Sequence, residues 1–439
     1  MKNIINILVV SSQISYRIIN IFLLIFVTVA SAAPRLLFHF SRRDRIAVVT
    51  NFGILLAKLA EKIGPSAVKL VQVASYRRDL LPLELTAPLS RLQDQVDPPS
   101  RRAVKKVLRH AYGAALSDVF ETIEYRPFAC GSVAVVVRAR LRGGCEVALK
   151  ILRPGARKRI ELDLKIMRWV MSTIVARLER FDGVPIAQIF DRFAELVVGQ
   201  CDMALEARSA ERLRGLLDPD IVIPRPLLDQ SRPTVLVTTY VSNVARFDSA
   251  MVSQEVYEHA CVVLLKNVYA MIFVHGFVHG DLHPGNVGIN SQGQVVLYDF
   301  GLVAELADTD RVIFRDFFLA VAAGDSVIVG QKILESVEHN SNFLDKDEFG
   351  SAVDILVKQY SGQKAGDFFV ARFVEDLFDL QRRFGLYGTP GFANAVWALA
   401  MFEGLARHGH PALDFQREAR SFFVASFMKT FVSPAPVVD

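Results

Sequence analysis

The stretch "FVHGDLHPGNVGINSQGQVVLYDFG" (277–301) constrains the fold more than any other part of the chain. Its short apolar runs "NVGI" and "VVLYDF" flank Ser291-Gln292-Gly293, a composition that folds two strands into a hairpin. Gly276, Gly280 and Pro284 break any helix that tries to run through it. Around those strands stand Asp281, Asn286 and Asp299, two carboxylates and an amide. The chain must therefore pass from helix to loop and strand here, and the loop ends present oxygen ligands.

Mg²⁺ prefers such hard oxygen donors, with phosphates and water completing its shell. Phosphoryl transfer asks for little more: a group to orient or deprotonate the acceptor, metal ligands, and positive charge on the phosphates. Asp281 is placed as the base or acceptor-orienting carboxylate. Asn286, five residues on, and Asp299, thirteen beyond that, are placed as ligands of one metal. A zinc site is the competing reading, because His275, His279 and His283 are spaced by four. The helix breakers remove their common face and no HExxH is present, so His279 and His283 read as loop-shaping hydrogen-bonders.

Upstream, "SVAVVVRARL" (132–141) and "EVALKIL" (146–152) read as strands joined at Arg142-Gly143-Gly144. Lys150 in the second is placed to meet nucleotide phosphates. Val147, Ala148, Leu149 and Ile151 around it suit a buried strand. Helical patterns follow over about 156–180 and 187–217, then a strand "TVLVTTYV" (234–241) and a helix closed by Gly276. Residues 45–75 are helical by periodicity and interrupted at Gly64-Pro65. Ser100 is a cap for a helix from Arg101, and the chain reads helical after Asp308. A β-rich unit with a strand Lys, then a long helix, then a loop with Asp and Asn, then a strand ending in Asp-Phe-Gly is the order of a two-lobed kinase. The Asp281–Asn286 spacing matches the kinase catalytic loop.

Composition bounds the rest. Half of the residues are hydrophobic and 31 are Phe, so a 439-residue chain has ample core material. The net charge of +5 lies in the first fifty residues, where Lys2, Arg17, Arg35, Arg42, Arg43 and Arg45 face Asp44 alone. The remainder is balanced, which excludes the basic stripe of a nucleic-acid protein. Ile18–Ala33 is uncharged, too short for a comfortable span, and open to reading as a signal peptide or a short anchor. The arginines that follow it keep the folded part on the ATP-containing side, which favours a membrane anchor or peripheral attachment. Cys130, Cys145, Cys201 and Cys261 form no ligand-like spacing and read as reduced thiols.

With these residues in place, the chain resembles the UbiB/ADCK (AarF-type) family of atypical protein-kinase-like proteins over roughly 50–325. The upstream blocks "GPSAVKLVQ" (64–72), "RRDLLPLEL" (77–85) and "LQD" (92–94) carry the resemblance beyond the kinase motifs. So do "PFACGS" (127–132), "VALKILRPG" and "QCDMALEARSAERLR" (200–214). The resemblance implies an α+β, two-lobed kinase-like fold. It would comprise a segment 1–45, a helical extension 46–120, a small lobe 121–242, a catalytic lobe 243–325 and a helical region 326–439. It implies ATP and Mg²⁺ as cofactors, with a nucleotide loop at Ala129, Cys130, Gly131 and Ser132. Lys69 and Gln72 would be the remnant of the family's K-x-G-Q. Gln200, Asp202 and Glu206 would correspond to its E-x-D helix. As partners it implies a membrane surface or isoprenoid and quinone lipid, with lipid-biosynthesis proteins. The departures are Val71 for the motif glycine, Gln200 for the acid expected to pair with Lys150, Val135 for a loop Gln, and Gly131 for Ala. No APE follows the DFG. The alternatives are a nucleotide-binding pseudokinase and an aminoglycoside- or choline-type phosphotransferase; the upstream blocks speak against the second.

Overall fold

The computed structural model describes residues 24, 45–64, 67–68, 71, 83–89, 98–173, 186–247, 249–339, 345–361, 369–407 and 409–432. The anchor expected within 1–45, apart from Leu24 and Arg45, lies outside them, as do Lys69, Gln72 and the "LQD" block. The chain divides into two compact units. One holds residues up to Met203 together with 230–237. The other holds 204–229 and 238–439.

In the first unit, α1 (Arg45–Ile63) packs on α2 (Leu83–Leu89). Their approach is close enough that a Cβ on Gly53 would stand 2.7 Å from the Leu85 carbonyl oxygen. Gly64 ends α1 at φ +115°, a conformation that L side chains avoid, so the interruption expected there is real. Ser100 caps α3 (Arg101–Tyr112) as expected, its Oγ accepting from the Ala103 amide at 3.3 Å. The sheet follows: β1 (Phe120–Ile123), β2 (Ala129–Cys130), β3 (Ala134–Leu141) and β4 (Glu146–Leu152). β3 is central, with β1 and β2 along one edge and β4 on the other; β6 (Val235–Thr239) pairs beyond β4. The β3–β4 register sets Val136 opposite Lys150. Val147, Leu149 and Ile151 are fully buried, while Ala148 and Lys150 share the half-buried face. The strand therefore alternates where a uniformly buried run was expected, as a sheet with only one covered face must.

α4 (Ala156–Thr173) and α5 (Ile186–Gly199) are clamped by a two-pronged ion pair, Arg168 Nε and Nη2 to Asp191 at 2.5 and 2.8 Å. The continuous helix expected over 187–217 is instead two helices. The chain turns at Gln200–Asp202 before α6 (Met203–Leu216), which carries on into the second unit. Periodicity missed the break because apolar residues continue across it. The local cause is Asp202, a residue type that favours a helix-start position over a helix interior.

The second unit is built around α7 (Gln254–Tyr269), extended by a π-helical turn over Ala270–His275 and closed by Gly276 at φ +60°. Among the described residues, Gln254–His275 is the one helix long and apolar enough to cross a membrane. Leu264, Leu265, Val268 and Tyr269 on it are completely shut off from solvent, which is the environment of a core helix. Against it lie a sheet in the order β5 (Ile221–Val222), β10 (Val295–Leu297), β9 (Val287–Ile289), β7 (Ala245–Arg246), and a separate pair, β8 (Phe277–His279) with β11 (Val303–Glu305). The expected β9–β10 hairpin is present, with Gly293 at φ +81°.

The helical tail contains α8 (Asp308–Ala323), α9 (Ser326–Glu335), α10 (Lys346–Tyr360), α11 (Val370–Arg383), α12 (Pro390–Ala406) and α13 (Phe415–Val432). A short pair, β12 (Val337–His339) with β13 (Tyr387–Gly388), interrupts it, unforeseen from periodicity. Glu403, buried on α12, accepts the Val370 and Ala371 amides at 2.9 and 2.8 Å and pairs with Arg407. A carboxylate at the positive end of α11 is favourable, and the Arg407 guanidinium offsets its burial.

Candidate active site

The loop 277–301 is assembled by short-range backbone bonds inside the second unit. The β8–β11 ladder sets His279 opposite Val303, and the Gly280 amide donates to the Leu302 carbonyl at 2.9 Å. A Cβ on Gly280 would stand 3.2 Å from that same oxygen, so glycine is what lets the strands close here. The Tyr298 amide donates to the Asn286 carbonyl at 2.9 Å. These bonds bring the segments bearing Asp281, Asn286 and Asp299 together.

His279 ties the two Asp-bearing segments to each other. It is fully buried; its Nδ1 accepts the Asp281 amide at 3.1 Å and its Nε2 lies 3.1 Å from the Tyr298 carbonyl. With Nδ1 accepting, the ring proton sits on Nε2 and donates to Tyr298. Burial holds the imidazole below its ordinary pKa of 6.5, which suits this neutral form. Phe300 packs edge-on against the ring at 5.3 Å and is itself buried, fixing the segment that follows Asp299. His283 repeats the pattern, with Nδ1 accepting the Gly285 amide at 3.0 Å. The loop-shaping roles expected of both histidines are observed; among the described residues no group of three or more His, Cys, Asp or Glu is placed to hold a metal ion.

Asp281 is buried, and its Oδ1 has no hydrogen-bond partner. A desolvated carboxylate oxygen left unbonded is costly, on the order of 1–3 kcal/mol or more, and such an atom asks for an occupant. Asn286 is buried beside it, its Nδ2 donating to the Asp281 carbonyl at 3.0 Å. That bond fixes which end of the amide is used up, and leaves Oδ1 as the end with ligand chemistry. Asp299 is exposed and adopts φ +55°, the left-handed region that Asp tolerates better than most residues. Its Oδ1 accepts the Gly301 amide at 3.2 Å, a local turn that holds this backbone. Orphaned carboxylate oxygen, oriented amide and exposed carboxylate together fit a hard divalent cation carrying phosphates.

Apart from Glu206, the other candidate residues that the structure describes lie in the first unit. Ala129 pairs with Val136 on β3, and Val136 pairs with Lys150 on β4, so the loop and the lysine meet across one strand. Cys130 pairs with Val135, and Ser132 is buried. Gly131 donates to the Ala134 carbonyl at 2.9 Å and accepts from Arg153 Nε at 2.9 Å. Both its backbone groups are thus engaged. Arg153 was not singled out by sequence reasoning; the signal was its place directly after the Lys150 strand, where a long donor can reach back. Gln200 and Asp202 occupy the α5–α6 turn and not a helix. Glu206 is buried on α6, in the second unit. Burial pushes the Cys201 thiol to about 11 and the Cys261 thiol to about 12, which removes both as nucleophiles. All four cysteines are free.

Sequence and structural comparisons define the class. The model of the ABC1 atypical kinase-like domain matches residues 91–333, more than half of the chain. The chain belongs to this family. Curated relatives include the "Probable protein kinase UbiB" of Vibrio atlanticus, 26% identical over 403 residues, covering 89% of this chain and 73% of that protein. The protein of the same name from Marinobacter nauticus is 28% identical over 395 residues, covering 86% and 70%. Among solved structures, a Rv3197–erythromycin complex from Mycobacterium tuberculosis aligns with a TM-score of 0.56 at 18% identity, over 84% of this chain and 94% of the other. That likeness concerns the fold, which is α+β and kinase-like.

Proposed function

We propose that the protein is a UbiB-type atypical kinase or ATPase that binds Mg-ATP and supports quinone or other isoprenoid-lipid metabolism at a membrane surface. The observation that carries the catalytic part is the buried Asp281 with its unbonded Oδ1, beside an Asn286 whose amide nitrogen is already engaged. Asn286 and Asp299 are the residues that would hold Mg²⁺, which when bound neutralises charge on the phosphates. Asp281 orients the acceptor hydroxyl or water and takes up its proton. Lys150 supplies positive charge to the nucleotide phosphates, and Ala129 to Ser132 cover them. Membrane association rests on the apolar, basic composition of residues 1–45.

A nucleotide-binding switch without turnover is the second reading, favoured by one observation: an amide, Gln200, replaces the acid expected to serve Lys150. A neutral amide can accept a hydrogen bond from Lys150 but cannot neutralise its charge. Phosphate release from Mg-ATP by the purified full chain separates the two. Turnover that rises with phenolic compounds or prenyl-lipid vesicles and disappears in Asp281→Asn supports the first reading. Mg-ATP binding with no turnover under any of these conditions supports the second. Flotation with vesicles, with and without residues 1–45, tests the membrane assignment; equal flotation of both chains contradicts it.

A further inference from the structure

His279 and His283 use their rings alike, with one difference that assigns a role to the second. Each accepts the amide of the residue two positions on through Nδ1, so each carries its proton on Nε2. For His279 that proton has a carbonyl, Tyr298, at 3.1 Å. For His283, Nε2 instead lies 3.8 Å from Oδ2 of Asp281. The Asp281 carboxylate is buried, and its other oxygen has no hydrogen-bond partner. The ring, although its side chain is 42% exposed, lies against the glycine two residues on. A Cβ on Gly285 would stand 2.7 Å from His283 Cε1 and 3.0 Å from Nδ1, so the imidazole lies flush against the glycine backbone. The His-Pro-Gly sequence is therefore a cradle that aims Nε2–H at Asp281. A gap of 3.8 Å is longer than a hydrogen bond, and such contacts commonly tighten when a site fills.

We propose that His283 is the positioning residue for Asp281: its Nε2–H donates to Oδ2 and turns Oδ1 toward the acceptor hydroxyl or water. The role rests on the phosphotransfer reading above and adds to it the group that orients its base. No proton is transferred by His283 itself. The acceptor proton goes to the Asp281 carboxylate, and His283 remains a donor throughout.

The test is His283→Asn in the full chain. The Asn side-chain oxygen still accepts the Gly285 amide, as Asn does in local turns, while the donor reaching Asp281 is lost. The expected result is a kcat for Mg-ATP turnover lowered about 10–100-fold, the rate equivalent of losing a hydrogen bond to a charged group, with KM for ATP unchanged. An unchanged kcat, or a KM that rises in step with the loss, overturns the assignment. A second readout does not depend on turnover. In protein labelled with nitrogen-15 at histidine, the His283 Nε2–H resonance is identified by its loss in His283→Asn. It should shift in Asp281→Asn, and a resonance indifferent to Asp281 overturns the pairing. Wild-type protein that neither binds nor turns over Mg-ATP sinks the phosphotransfer reading, while the resonance still decides the His283–Asp281 contact.

Discussion

The loop 277–301 and the strand bearing Lys150 hold their candidate residues by different means. In the loop, each candidate residue is fixed from within the same segment: His279 to Asp281, Asp281 to Asn286, Asn286 to Tyr298, Asp299 to Gly301. At Lys150 the strand register sets the lysine's place, and the segment 129–132 is held both by its own pairing to β3 and by Arg153 reaching back to Gly131. A region fixed by many local bonds is set by its own sequence. The departures from the family pattern at Gly131, Val135 and Gln200 all lie outside that loop.

The predictions follow from that contrast. The largest effect belongs to Asp281→Asn. Loss of the base should lower turnover about 100–10,000-fold while Mg-ATP binding, read by thermal shift, persists. Lys150→Met should weaken ATP binding about 10–100-fold, by loss of a charge-assisted contact, without lowering the melting temperature. An unfolded Lys150→Met protein would place the lysine in the scaffold instead. Gly288→Ala attacks the loop's support: the new Cβ would stand 2.4 Å from Val244 Cγ1 and 3.0 Å from the Ala245 carbonyl. Chemical denaturation should show a loss of about 1–3 kcal/mol. Gln200→Glu should change ATP affinity or turnover less than tenfold, if it restores the acid that the family pattern pairs with Lys150; no change in either would mean that another acid already serves Lys150.

The smallest effect is a pH dependence. In the unfolded chain His279 titrates at its ordinary value of 6.5, and in the fold burial holds it lower. Between those values the unfolded state binds more protons, so its contribution to stability is complete above 6.5 and is lost as pH falls through the folded value. Denaturation midpoints of the wild type should therefore drop on acidification below 6.5 more steeply than those of His279→Gln.

Much of this was legible in the sequence because the loop's geometry is local. The Asp281–Asn286 spacing, the Ser291-Gln292-Gly293 hairpin and the Gly276 stop are all encoded within a few residues of where they act. Ser100 and Gly64 were legible for the same reason. The break at Gln200–Asp202 was not, since apolar periodicity runs across it and only the capping preference of Asp202 marks it. Arg153 was missed because its partner lies twenty-two residues away in sequence, and only strand pairing brings them together. The orphaned oxygen of Asp281 could not be read at all: burial without a bond is a property of packing. The pair β12–β13 is likewise a product of tertiary contact within a tail whose local pattern is helical.

The central claim is that Asp281, Asn286 and Asp299 form a site for Mg-ATP. Thermal unfolding of the full chain with ATP, with and without Mg²⁺, tests it most directly, because a ligand that binds only the folded state raises stability by mass action, about 2.7 kcal/mol at a hundred times Kd. The account predicts an upward shift with Mg-ATP in the wild type that is abolished in Asp299→Asn. The same shift in both proteins, or no shift in either, would contradict it.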